Sequence, residues 1–171
     1  MRETMNKEAT IRSIKRSDEE AVLAWRNHSD VRSFMYTSNV ISPEEHARWL
    51  ATALLDTGYH VRIVELDYEP IGVVTFKRIY DGNVADWGFY TVPGSAKGSG
   101  LKLGIAALRH AFSELSLRKV CGQSLGFNHK SQKFHLRLGF AQEGILREQF
   151  ADGLNVADVI LFGLLKSGFD R

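Results

Sequence analysis

A chain of 171 residues with 44% hydrophobic and 25% charged side chains has the make-up of one globular domain, residues 1–171, and falls outside the disordered and fibrous classes. Its net charge of +2 is scattered, which excludes a duplex-nucleic-acid footprint, and no apolar run nears the roughly 18 residues of a bilayer crossing. The lone Cys121 has no partner for an internal disulfide, and the N-terminal MRETMNKEAT lacks the apolar stretch of a secretory signal, so the expected compartment is the cytoplasm.

In chain order, Ala9 to Ile14 reads as a short strand. Ser17-Asp18-Glu19-Glu20 has the pattern of a capping box, in which Ser17 and Glu20 satisfy each other's free backbone donors, and predicts a helix through Trp25. Ser42-Pro43-Glu44-Glu45 is a second start signal, with Ser42 as cap and Pro43 in the first turn; that helix is predicted to reach Leu55. Between them, Arg32 to Asn39 carries aromatic residues without a period and reads as a loop. Tyr59 to Leu66, Ile71 to Tyr80 and Val84 to Val92 are β-branched and aromatic. The turns Asp67-Tyr68-Glu69-Pro70 and Asp81-Gly82-Asn83 separate them, which predicts an antiparallel meander. From Gly98 to Leu115, Leu101, Ile105, Leu108, Phe112 and Leu115 fall on one helical stripe. A strand over Lys119 to Leu125, a helix over Lys130 to Leu138, and strands over Phe140 to Arg147 and Asn155 to Leu164 complete the chain. No internal repeat or linker composition divides it.

Chemistry concentrates at Val92-Pro93-Gly94-Ser95-Ala96-Lys97-Gly98-Ser99-Gly100, where a strand ends and the strongest helix begins. Glycines there let the backbone approach an anion, the free N–H groups and the helix dipole favour negative charge, and Lys97 adds a cation. Glycine at a helix start is also common without any phosphate, so spacing alone leaves an anion site and a plain turn equally open. No Gly-Lys-Ser/Thr and no third glycine in dinucleotide spacing accompany it, which argues against a nucleotide-hydrolysing or dinucleotide site.

Element order and this turn together resemble the GNAT family, the Gcn5-related N-acetyltransferases, over nearly the whole chain. The family's Gln/Arg-x-x-Gly-x-Gly/Ala turn matches Ser95-Ala96-Lys97-Gly98-Ser99-Gly100, with Ser95 departing at the first place. Asn128 to Phe140 is similar to the family's Asn-x-x-Ala/Ser-x-x-x-Tyr-x-x-x-Gly-Phe segment. The resemblance implies an α/β (α+β) fold whose mostly antiparallel sheet of about seven strands, flanked by four helices, is splayed in the middle. It implies acetyl-CoA as co-substrate, no metal, and a direct transfer to an amine through a ternary complex. Cofactor contacts are then expected from Phe89, Tyr90 and Val92 on the strand, where Gly88 would form a bulge. Lys97, Gly98, Ser99 and Gly100 on the turn, with Asn128 and Lys130, are expected to complete them.

Shorter runs, Trp25-Arg26-Asn27-His28, Phe34-Met35-Tyr36, Ile41 to His46 and Gly88-Phe89-Tyr90, resemble a narrower branch: the nucleotide-amino-sugar N-acetyltransferases of pseudaminic acid biosynthesis, a pathway of flagellin glycosylation. That branch acetylates the 4-amino group of UDP-4-amino-4,6-dideoxy-N-acetyl-β-L-altrosamine. The resemblance places Arg26, His46, Lys77, Arg78 and Tyr90 around the UDP-sugar, with the aromatic loop against uracil. By the same resemblance Thr75 is expected near the amine, helping to hold a water as base, and backbone N–H groups of Phe89 to Val92 are expected to hold the oxyanion. The family's sulfur-protonating Tyr is replaced by His135, which near pKa 6.5 is mostly neutral at pH 7 and serves as acid only if a neighbour raises it. On that role, His135→Phe is expected to lower turnover more than about tenfold. The expected partners are thus acetyl-CoA and a UDP-linked amino sugar, neither nucleic acid nor membrane, with a homodimer open.

Other readings stay open on the residues alone. Arg26 and His28 fit caps for the first helix, His46 a buried helix histidine, Tyr90 and Thr75 core filling, and Cys121 a small core residue. Strand alternation lets at most one of Lys77 and Arg78 face a given ligand. An acetyltransferase for protein N-termini and a non-catalytic acyl-CoA-binding module remain the rival functions.

Overall fold

The computed structural model describes residues 8–169, so the N-terminal stretch read above for a secretory signal lies mostly outside the described residues. The strands are β1 (Thr10–Ser13), β2 (Tyr59–Leu66), β3 (Glu69–Tyr80), β4 (Val84–Thr91), β5 (Lys119–Leu125), β6 (Ala141–Ala151) and β7 (Val156–Leu165). The helices are α1 (Glu19–Asn27), α2 (Ser29–Arg32), α3 (Pro43–Leu55), α4 (Ser99–Ser113) and α5 (His129–Arg137). One sheet has the order β1-β2-β3-β4-β5-β7-β6, and every pairing is antiparallel except β4 with β5. This is the mixed, mostly antiparallel α/β architecture expected, with a fifth helix. The extra one is α2, a single turn in the segment just ahead of the aromatic loop, capped where His28 Nδ1 accepts from Asp30 N–H at 3.2 Å.

Alternation of side chains divides the sheet's two faces. Val74, Phe76, Ala85 and Trp87 pack under α4 in the larger core, whereas Val61, Ile63 and Val73 meet α1 and α3 in the smaller one. Two glycines set how closely the helices approach. A Cβ on Gly72 of β3 would overlap the Leu103 side chain of α4, and one on Gly104 would lie 2.8 Å from Phe134 of α5. The α4 stripe keeps Leu108 and Phe112 buried, but the helix stops at Ser113, ahead of the predicted Leu115, because Ser116 takes a positive φ of 52°.

Three local expectations are corrected. Ser17 does not cap α1: Arg12 holds the Asp18 carboxylate at 2.8 Å, and that carboxylate accepts from Lys15 N–H at 2.8 Å, so the cap forms one turn earlier around Lys15 and Asp18. The β2–β3 connection is a two-residue turn with positive φ at both Asp67 (56°) and Tyr68 (67°), which brings Glu69 and Pro70 into β3. Gly88 forms no bulge, since β3 and β4 run in register from Gly72–Thr91 to Arg78–Ala85. At α3 the cap is as read, with Ser42 Oγ accepting from Glu45 N–H at 3.1 Å.

Candidate functional site

The central strands part early. β4 and β5 pair in parallel only from Val84–Lys119 to Asp86–Cys121, and beyond Asp86 one edge of β4 has no strand beside it. Val92 N–H donates to Ile71 O at 2.9 Å. By antiparallel alternation Gly88 and Tyr90 also turn their backbone groups toward β3, whereas Phe89 and Thr91 turn theirs to the open edge. Of the predicted strand contacts, Phe89 therefore has a free N–H at the gap; the backbone groups of Tyr90 and the N–H of Val92 are directed to β3, and the Val92 carbonyl accepts from Ser95.

At the end of β4 the chain turns through Gly94 (φ 78°) and Gly98 (φ 94°) into α4, two left-handed positions that only glycine adopts without strain. Gly98 is the N-cap and brings no side-chain bond. Its carbonyl accepts from Leu101 and Lys102, and Ser99 N–H is spent on Ala96 O at 3.1 Å. Among the described residues, the N–H groups of Gly98 and Gly100 have no acceptor, and Lys97 stands exposed beside them. Two free donors at the positive end of a 15-residue helix form an anion cradle.

On the opposite face lies a cavity of about 350 Å³ between α1, α3, the α2–α3 loop and the β3–β4 ladder. Arg26, His46, Thr75, Gly88 and Tyr90 line it, together with Met35 of the loop. Arg26 Nη2 donates to Thr37 O at 3.1 Å, while Nη1 is buried with no partner. Burial lowers the guanidinium's pKa, and Tyr90 nearby opposes that. The Tyr90 hydroxyl is pushed up by burial, so it stays protonated. His46 is buried with Nε2 unpartnered, its pKa lowered by desolvation, and its ring rests on Trp49 at 5.0 Å. Thr75 Oγ1 donates weakly to Gly88 O at 3.4 Å. Asn27 fixes the loop by bonding both backbone groups of Ile41, at 2.8 and 2.9 Å. Tyr36 carries the loop across to β5, where its hydroxyl donates to Gln123 Oε1 at 2.7 Å.

Behind the gap, on the α4 side, Trp87 Nε1–H donates to His135 Nε2 at 3.1 Å. Nε2 is then the acceptor nitrogen, so the ring proton is on Nδ1, which donates to Ser131 O at 2.8 Å. The ring is 1% exposed, stacks on Phe162 at 4.6 Å, and desolvation takes its pKa down to about 4. A neutral imidazole with both nitrogens engaged holds no proton for a leaving sulfur. This runs against the acid role expected of His135.

The remaining residues separate. Lys77 is exposed on the cavity face, opposite Asp86, while Arg78 is on the α4 face and spends its guanidinium on Asn83 Oδ1 (2.7 Å) and Leu115 O (3.0 Å). Arg78 is thus not brought to the cavity. Asn128 caps α5, its Oδ1 accepting from Ser131 N–H at 3.0 Å, and Lys130 is exposed in the first turn. Desolvation raises the Cys121 thiol. Among the described residues no three His, Cys, Asp or Glu side chains gather as a metal site, and no helix is long and apolar enough to cross a membrane. Sequence reasoning missed Trp87 and Gly122, whose importance comes from partners distant in the chain.

A family model described as an acetyltransferase (GNAT) domain matches residues 9–141. Acetyltransferase PseH of Campylobacter jejuni is 31% identical over 116 residues, 68% of this chain and 72% of that protein. A prophage-derived uncharacterized N-acetyltransferase, YokL of Bacillus subtilis, is 29% identical over 126 residues, 71% of this chain and 70% of that one. In structure, spermidine N-acetyltransferase from Vibrio cholerae, solved with CoA and spermine, superposes with a TM-score of 0.86. Its identity is 24%, over 94% of this chain and 97% of that one, a likeness of fold.

Proposed function

This chain belongs to the GNAT acetyltransferase family, and on that premise we propose that its acceptor is the amino group of a UDP-linked sugar, of the kind UDP-4-amino-4,6-dideoxy-N-acetyl-β-L-altrosamine. The acetyl-CoA-dependent N-acetyltransferase class is given by the family; the acceptor is the proposal. The residues present fit acetyl-CoA: the N–H groups of Gly98 and Gly100 with Lys97 suit its pyrophosphate, and the open edge at Phe89 suits its amide arm. Bound acetyl-CoA supplies the acetyl group as a thioester, activated toward a neutral amine.

One observation carries the acceptor class: the buried, unpartnered Nη1 of Arg26 in the cavity wall. A buried donor left unpaired costs about 1–3 kcal/mol, and more on a charged group. A phosphate oxygen satisfies it, with the charge-assisted geometry for which arginine is suited. A polyamine brings only donors and positive charge, and of the lining residues Glu45 alone is acidic. The 31% identity to PseH and the short segments shared with the amino-sugar branch support the same reading.

In this reading Arg26 and His46 hold the nucleotide, Tyr90 and Thr75 border the amine, Lys77 stands at the rim, and the Phe89 N–H faces the developing oxyanion. The test mixes acetyl-CoA with UDP-4-amino sugars, N-terminal peptides and spermidine and follows free thiol. Release with a UDP-amino sugar is expected; release only with peptides or spermidine overturns the assignment.

A further inference from the structure

The fork between β4 and β5 has an aromatic floor. Asp86 and Cys121 are the last paired residues, so Trp87 and Gly122 are the first on either side of the opening. Gly122 brings no side chain, and the Trp87 indole reaches to the β5 backbone there, where a Cβ would overlap both it and the His135 ring. The hydrogen bond from Trp87 Nε1 to His135 Nε2 ties the two rings together under the gap. Both are buried, and further rings stand behind them. Trp87 packs on Phe89 at 4.8 Å and stacks on Phe140 at 5.1 Å, while His135 is backed by Phe162. Interiors packed at this density give way by little, so even one extra methylene is felt.

Above this floor runs the edge of β4 that suits the amide arm of acetyl-CoA. From the Gly98 turn the edge passes Thr91 and Phe89 and ends at Trp87, one same-face step or about 7 Å beyond Phe89. An arm paired at Thr91 and Phe89 therefore brings its sulfur, and the acyl group on it, to the floor. Toward the acceptor the strand is open instead: Gly88 carries no side chain, and it borders the cavity together with Thr75.

We propose that Trp87 and His135 set the length of the acyl group this protein transfers, admitting acetyl and rejecting longer chains. The proposal rests on acetyl-CoA lying along β4 but not on which amine is accepted. A longer chain has two directions to take, and both lower turnover. Toward α4 it meets the Trp87–His135 pair, which must move against Phe140 and Phe162. Toward the cavity it passes Gly88 and fills the space from which the amine approaches the thioester carbon. A glycine on each strand makes this possible: Gly122 lets the rings close the floor, and Gly88 leaves room for the amine.

A merely structural role for the pair has a different signature. Lost core packing lowers stability and scales the rates with every thioester equally, because the folded fraction of one sample multiplies all of them. The ratio between thioesters is then unmoved.

The experiment follows free thiol and measures kcat/KM for acetyl-, propanoyl- and butanoyl-CoA, with whichever amine of the panel the wild type acetylates. Failure of the UDP-sugars alone discredits the proposed acceptor and leaves the acyl preference measurable with another amine. One methylene in a close-fitting pocket changes kcat/KM roughly 10- to 200-fold, so wild type is expected to favour acetyl over butanoyl by at least about a hundredfold. Trp87→Leu, with a smaller side chain on the floor, should bring that preference below about tenfold. Trp87→Phe, a milder change that keeps a ring in the core, should lower it in the same direction and serves if the leucine variant does not fold. Phe112→Leu also removes core volume under α4 but leaves the floor intact, and should keep the wild-type ratio. The proposal is overturned if wild type uses butanoyl-CoA within about threefold of acetyl-CoA, if the folded Trp87 variants keep the full wild-type preference, or if Phe112→Leu relaxes it as far.

Discussion

Gly122 on β5 leaves the space that His135 fills: a Cβ at this position would lie 2.5 Å from His135 Nε2 and 2.8 Å from Trp87 Nε1. The glycine is thus a steric condition for the Trp87–His135 bond at the base of the gap. Gly122→Ala must push apart two large buried rings, and overpacking of this kind costs about 1–3 kcal/mol. Urea unfolding should show that loss. The KM for acetyl-CoA should rise as well, because the rings back the open edge of β4.

Stability should also fall in mild acid, well above the carboxylate range. The folded His135 has a pKa of about 4 against 6.5 unfolded, so between those values the unfolded chain binds the extra proton and folding is disfavoured. The stabilisation is complete above pH 6.5, is lost as pH falls through that window, and amounts to on the order of 3 kcal/mol. His46, also lowered by burial, acts in the same direction. Unfolding midpoints from pH 7 to 4 check this, and His135→Gln, which keeps one acceptor and one donor without an ionisable ring, should flatten the slope.

Arg26→Gln should weaken the acceptor and spare the cofactor. A hydrogen bond to a charged group contributes about 1.5–3 kcal/mol, which corresponds to roughly 10- to 100-fold in the KM for a UDP-amino sugar. The KM for acetyl-CoA, on the other side of the sheet, should stay unchanged. An equal rise in both constants would remove Arg26 from the acceptor site.

Tyr68→Gly should stabilise the protein. Tyr68 is 93% exposed, so it packs on nothing that is lost, yet it holds a φ of 67° that costs a side chain about 1–2 kcal/mol. Subtracting glycine's larger unfolded-state entropy leaves a net gain of about 0.5–1 kcal/mol. Thermal denaturation should show a higher Tm with unaltered turnover.

What was legible in the sequence followed from short-range rules. Ser42 and Pro43 opened α3, the Leu108–Phe112 stripe marked α4, and glycines at 94 and 98 marked the turn, because caps, periods and left-handed positions are written within a few residues. The cavity was partly legible: Arg26, His46 and Tyr90 came from matched segments, Thr75 came as a single position implied by the resemblance, and all four line it. His135 was misjudged because its behaviour depends on Trp87, 48 positions away, and on the missing side chain at Gly122. For Arg78 strand alternation already allowed only one of it and Lys77 at a ligand, and the bond that decides between them, to Leu115 O, spans 37 positions. Ser17 lost its capping place to Asp18 once Arg12, a strand residue, claimed the aspartate.

The strand order carries a consequence for synthesis. β1 to β4 pair with neighbours next in sequence, so the first four strands of the sheet are complete once Thr91 has been made. β5 is different: it meets β4 only from Lys119 to Cys121, and its full-length partner is β7, from Val156 to Leu165. A chain still growing at the ribosome therefore holds one wall of the catalytic gap long before the other has its register, and closing the gap waits on the last strand. Non-local pairings of this kind fold slowly. The late, lightly held β5 is where a chaperone or a degradation enzyme would find an unfinished copy of this protein.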